Sequence, residues 1–182
     1  GRHYFYRFRS GDAVSEIGRT WTAAAPGANV DRLRVALASC QHYEQGFFAA
    51  YRQMVADEPD LIVHVGDYIY EYGRGGYPQA ESLAESEGFQ PDRECVTIAD
   101  YRQRYAQYHR APKLQAARAT APFIVIWDDH ETANDSWSGG AQNHQSATEG
   151  DWIARRDAAR ELHRAAVEEE FLGERGLARV GM

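Results

Sequence analysis

The chain has 182 residues, 43 % hydrophobic and 26 % charged. That fits one ordinary globular domain, or one domain and a remnant of another, and excludes a disordered polypeptide. A net charge of −7, with 27 acidic against 20 basic side chains, argues against a nucleic-acid partner, which needs clustered Lys and Arg.

A small anionic substrate stays open, since it responds to the local field of its site. Lys113 is the only lysine, which we read as compositional bias without functional meaning. No apolar run approaches the roughly 18 residues of a membrane span. The start, GRHYFYRF, is neither a signal-like leader nor an initiator segment, so the chain is expected to be a processed or partial product. Cys40 and Cys95 make no disulfide framework, and whether they pair is open.

In chain order, Tyr4, Tyr6 and Phe8 alternate with Phe5, Arg7 and Arg9, and SGD supplies a turn, so the first segment reads as a β-hairpin. One hairpin is not stable alone in water. Residues 1–25 are therefore expected to be the end of a β-rich domain, with AAAPGAN (23–29) as linker. LRVALASC (33–40) reads as a strand. The helix that follows carries Phe47, Tyr51 and Val55 at helical spacing and stops at Pro59.

DLIVHVGD (60–67) reads as a second strand, apolar on both faces except for His64, which is taken as a satisfied core histidine or one behind the site. A Gly- and acid-rich loop over 73–92 leads to a helix around Tyr101, Tyr105 and Tyr108, a stripe expected to be core. PFIVIW (122–127) is a third strand. TEGDWIARRDAARELHRAAVEEEF is expected to be one long helix opened by a Thr148…Asp151 capping pattern. The order implies an α/β fold with its sheet covered on both faces.

Each strand ends in polar chemistry: SCQH, then GDYIYEY, then WDDHE. In open α/β sheets ligands bind outside the carboxyl ends of the strands. A parallel sheet would therefore deliver Cys40, Asp67, Tyr70, Asp129 and His130 to one crevice. Crowded carboxylates keep a proton unless a cation stands between them, and hard cations take carboxylate oxygen while thiolate or phenolate favours a transition metal. Paired metals roughly 3.5–4 Å apart are the recurrent device for phosphoester hydrolysis. His130, one residue beyond a ligand, could give a proton to a leaving group. Taken singly, a GD turn, a lone cysteine and a tyrosine all have bland readings. Their coincidence at three strand ends is what makes a site.

ASCQ, HVGDYIYEYG and WDDHETANDSWSGGAQNH followed by EGDW resemble, in this order, the alkaline phosphatase D (PhoD-like) family of metallophosphatases, from about residue 3 to about 160. The resemblance implies a metallophosphoesterase-like α/β sandwich over 30–172, here partial, preceded at 1–25 by the last strands of a β-sandwich domain. It also implies hydrolysis of phosphate mono- and diesters with Fe3+ and Ca2+, in a secreted or periplasmic enzyme.

By the same resemblance Asp67 would bridge metals, Tyr70 and Cys40 would ligate ferric iron, and Asp129 would ligate the second metal. His130 would donate a proton or stabilise the transition state, and Asn134 would contact calcium or phosphate. The family's later metal-ligating histidines have no match, and 173–182 reads as a divergent tail. The chain is thus expected to be a fragment, inactive alone. The alternative is a non-catalytic chain that binds metal or phosphate but lacks the remaining ligands.

Overall fold

The computed structural model describes residues 1–77 and 88–168. The expected tail at 173–182 and the middle of the expected 73–92 loop lie outside the described residues. The first segment is a hairpin in two pieces. β1 (His3–Tyr6) pairs antiparallel with β4 (Gly18–Trp21), and β2 (Arg9–Ser10) with β3 (Ala13–Val14) around the Gly11–Asp12 turn. Arg19 Nε ties the hairpin to the rest by donating to the Thr120 carbonyl at 2.9 Å.

β5 (Val35–Ala38), β6 (Leu61–Val65) and β7 (Phe123–Ile126) form one parallel sheet in that order, as the three apolar runs imply. The crossover from β5 to β6 contains α1 (Ala49–Ala56), which begins later than expected. Phe48 stands at its N-terminus with φ 49°, leaving Phe47 outside the helix. The second crossover contains α2 (Ile98–His109) and α3 (Pro112–Thr120). α2 starts with a reciprocal cap in which Thr97 and Asp100 each accept from the other's backbone N–H. Pro112 opens α3, where its missing N–H costs nothing.

The expected long C-terminal helix is two helices, α4 (Ser146–Glu149) and α5 (Trp152–His163), followed by a π-helical turn over Arg164–Glu168. Gly150 lies between them at φ 84°, where a helix cannot continue. The cap is therefore Asp151, whose side chain accepts from Ala154 N at 3.1 Å, and Thr148 has no such role.

Side chains alternate across the sheet, and the two faces differ. Ala36, Ala38, Ile62, His64, Phe123 and Val125 lie on one face, against Tyr51 of α1, the α2 tyrosines, Leu114 of α3 and Leu162 of α5. Tyr101, Tyr105 and Tyr108 form the buried stripe read from their spacing, each contributing roughly 2 kcal/mol. The opposite face carries Val35, Leu37, Val65, Ile124 and Ile126, with Leu37 65 % and Ile126 53 % exposed. The expectation of a sheet covered on both faces is thus corrected for the described residues: α1, α2, α3 and α5 all pack on one side. The apolar runs reported composition, and composition does not say which face has a neighbouring layer.

Candidate functional site

The parallel register brings the C-terminal ends of β5, β6 and β7 to one edge. Beyond β5 and β6 the chain keeps pairing for a residue or two: Cys40 N donates to the Gly66 carbonyl and Gln41 N to that of Asp67. Cys40 and Asp67 both sit at φ 53°, a left-handed conformation that non-glycine residues adopt at a cost of about 1 kcal/mol or more. Gly66 precedes Asp67 at φ 101° and packs so closely on Asp128 that a Cβ would lie 2.5 Å from that residue's Cβ. This close contact locks the end of β6 against the end of β7.

Asp67 is the centre of the arrangement. Its Oδ2 accepts from the Tyr70 hydroxyl at 3.1 Å and from the Cys40 thiol at 3.4 Å. Its Oδ1 is buried with no hydrogen-bond partner among the described residues. Asp67, Asp129 and His130 each offer a ligand atom, and these atoms lie within 4.8 Å of one another. The five side chains expected at one edge are thus brought together.

The electrostatics follow from crowding. Burial raises the pKa of Asp67 above the usual carboxylate range, and burial with the adjacent Asp67 raises that of Tyr70. Cys40 is exposed as a residue, yet screening of its thiol and the Asp67 charge raise it too. Burial disfavours charged His130, but its hydrogen bond to Glu71 and the charges of Glu71, Asp67 and Asp129 outweigh that and raise it. Crowding of like charges and burial thus disfavour the charged forms of Asp67, Tyr70 and Cys40. A donor set of two carboxylates, imidazole, phenol and thiol, with one carboxylate oxygen unsatisfied, fits a metal ion that would displace their protons.

Asn134 lies at the margin. Its backbone N donates to Glu71 Oε1 at 2.7 Å, and its side-chain nitrogen donates to Gln142 and Asp135. Asp129 Oδ2 accepts from Asp135 N at 2.5 Å, which closes the 129–135 turn. Both cysteines are free thiols, and Cys95 is buried in the core.

The sequence reading missed the residues that hold these groups in place. Glu131, fully buried, accepts from the backbone N–H of Asp67 at 3.2 Å, Asp128 at 2.6 Å and Ile69 at 3.4 Å, and also from Tyr68 N. It thereby staples the turn after β6 to the turn after β7. Burial pushes its carboxyl up to about 7, although those N–H donors oppose the shift.

Glu71 is equally buried and bonds His130 Nδ1 at 2.8 Å. Arg104 donates to the carbonyls of Tyr72, Gln90 and Pro91 and of Tyr70, holding the 70–72 segment. The acids stand within GDYIYEY and WDDHE, but no periodicity in a loop separates an inward anchor from a solvated charge. His42, also buried, packs edge-on against Tyr70 at 4.6 Å and near Tyr77 at 4.8 Å.

Fold and site together define an α/β protein with a cation-suited cluster at the carboxyl edge of a parallel sheet. A family model for PhoD-like phosphatase matches residues 35–165, and the chain belongs to that family. It is 45 % identical over 132 residues to alkaline phosphatase D of Bacillus subtilis (strain 168), a match covering 72 % of this chain and 22 % of that protein. A solved structure described as "Structure of PhoD" superposes with a TM-score of 0.77 at 41 % identity, covering 87 % of this chain and 29 % of that one. The chain thus spans less than a third of the length of either relative. Among the described residues, no helix is long and apolar enough to cross a membrane.

Proposed function

We propose that this chain carries part of the active site of a metal-dependent phosphoric ester hydrolase of the alkaline phosphatase type. Residues 30–172 would belong to the first part of a metallophosphoesterase-like sandwich, and 1–25 to the last strands of a preceding β-sandwich domain. The substrate would be a phosphate mono- or diester, and the enzyme would work outside the cytoplasm. The observation that carries the reading is the convergence of Asp67, Asp129 and His130 ligand atoms within 4.8 Å, in a chain of the PhoD-like phosphatase family.

Asp67 would bridge two ions, Cys40 and Tyr70 would complete a ferric site, and Asp129 would hold the second ion, calcium, with Asn134 at its margin. Bound there, the ions would supply positive charge to the phosphoryl oxygens and lower the pKa of water. The residues' own share is positional. Asp67 keeps an oxygen free for a cation, and Glu131 holds the turn that presents it. His130 stands beside both carboxylates, where its ring can return a proton to the leaving oxygen.

The test is iron and calcium content after exhaustive dialysis, with hydrolysis of an aryl phosphate ester measured in parallel. Near-stoichiometric metal that Asp67→Asn and Asp129→Asn each abolish is the expected result. Retention of full metal in either variant would overturn the ligand assignments. Metal without turnover would favour the second reading, a chain that binds the ions but does not hydrolyse esters.

A further inference from the structure

Glu71 has no assigned role in the chemistry above, yet it is fully buried and each of its oxygens is used. Oε1 accepts from the backbone N of Asn134 and from Asn143 Nδ2, both at 2.7 Å. Oε2 lies 2.8 Å from His130 Nδ1. The carboxylate therefore joins the segment after β6 to two points of the loop after β7 and to the imidazole between them. A backbone N–H can only donate, so Oε1 is fixed as an acceptor. A carboxylate without a proton can only accept, so Nδ1 must carry the hydrogen. The Tyr70 ring, 4.2 Å from the imidazole centre to centre, limits its rotation.

We propose that Glu71 is a positioning residue that sets the tautomer and orientation of His130, so that Nε2 is the atom presented to Asp67 and Asp129. In the neutral imidazole Nε2 then bears a lone pair and places no hydrogen on the two carboxylates. They are left free for a cation, and the imidazole can take or give a proton at that atom. This inference rests on the metal reading above, because its consequence is for ion binding at the same cluster. Carboxylates behind a site's histidine recur in metal proteins, where their loss typically lowers affinity 10- to 100-fold.

Glu71→Gln makes a sharp test because it keeps the shape and reverses one group. The amide oxygen must stay on the Asn134 and Asn143 donors, which turns the amide NH2 toward His130 Nδ1. That nitrogen must then accept, the hydrogen moves to Nε2, and it points at the Asp67–Asp129 pair. Two measurements follow on the full 182-residue chain. The first is the ring 15N and 13C chemical shifts of His130 above its titration midpoint. The second is titration with Co2+ alone, followed by visible absorption.

The expected result is an Nδ1–H tautomer in the wild type, an Nε2–H tautomer in Glu71→Gln, and a Co2+ Kd about 10- to 100-fold weaker in the variant. An Nε2–H tautomer in the wild type overturns the proposal, and that measurement stands even if the variant fails to fold. The same Kd in both proteins, with the variant folded, overturns the claim that the orientation serves the ion. No Co2+ binding by either protein, with the tautomer contrast intact, supports the positioning role and overturns the metal reading.

Discussion

His64 offers a prediction that separates fold from site. It sits in the middle of β6, 0 % exposed, with neither ring nitrogen hydrogen-bonded to any described residue and its ring edge-on to Tyr68 at 5.2 Å. Burial lowers its pKa from 6.5 to about 4. The folded value is depressed, so the unfolded chain binds the extra proton between about pH 6.5 and 4, and stability falls as the pH falls through that window.

Taking the pH from 7 to 5 should cost about 2 kcal/mol through this residue alone, from about 1.4 kcal/mol per pH unit below 6.5. That is a large part of a typical 5–15 kcal/mol. His42 and His163, also buried and lowered to about 4, act in the same direction. Urea melts followed by tryptophan fluorescence at pH 7 and pH 5 would compare the wild type with His64→Leu. The variant, close in volume and unable to bind a proton, should lose about 2 kcal/mol less between the two pH values. An identical loss in both proteins would refute the reasoning, because it would mean that His64 has its ordinary affinity for the proton in the fold.

Two further expectations rest on the backbone. Gly66→Ala combines a left-handed φ with a 2.5 Å approach to Asp128 Cβ, so it should cost about 1–3 kcal/mol in urea melts; a wild-type midpoint would show that the two turns are not in close register. Asp100→Ala should cost about 1 kcal/mol at pH 7, because the Thr97 cap loses its partner. Burial raises this carboxyl, but Thr97, the Val96 N–H and Arg93 outweigh that and hold it below its ordinary 3.8. Its contribution is therefore present above about pH 4 and is lost on acidification through the depressed value; an unchanged difference between variant and wild type at pH 2.5 would contradict this.

What the sequence made legible follows physical range. Three apolar runs, each ending in polar residues, are enough for a parallel sheet with polar chemistry at one edge, because alternation and turn chemistry are local properties. The tyrosine stripe of α2 was legible for the same reason. The split between α4 and α5 is not legible because a single glycine among helix-forming residues does not announce the positive φ that Gly150 adopts. His64 reads as a satisfied core histidine or one behind the site, whereas its nitrogens have no hydrogen-bond partner among the described residues, which depends on neighbours distant in sequence. The roles of Glu71 and Glu131 were illegible for that reason too. Each is defined by amide groups more than 60 residues from it in the chain.

The topology also dictates when the site can exist during folding. The Cys40–Asp67 contact closes 27 residues, the Glu131 staple 62 to 64, and the Glu71–Asn143 bond 72. No segment shorter than these loops holds even two sides of the cluster, and parallel strands pair only after their crossovers have closed. Contacts of that range form slowly, after the local helices, because loop entropy is lost before any long-range contact offsets it. The edge that would take a cation is thus among the last features to assemble, and an ion offered to the nascent chain meets no preformed cluster to nucleate around. An ion at this edge would therefore be taken up only after β6 has paired with β7.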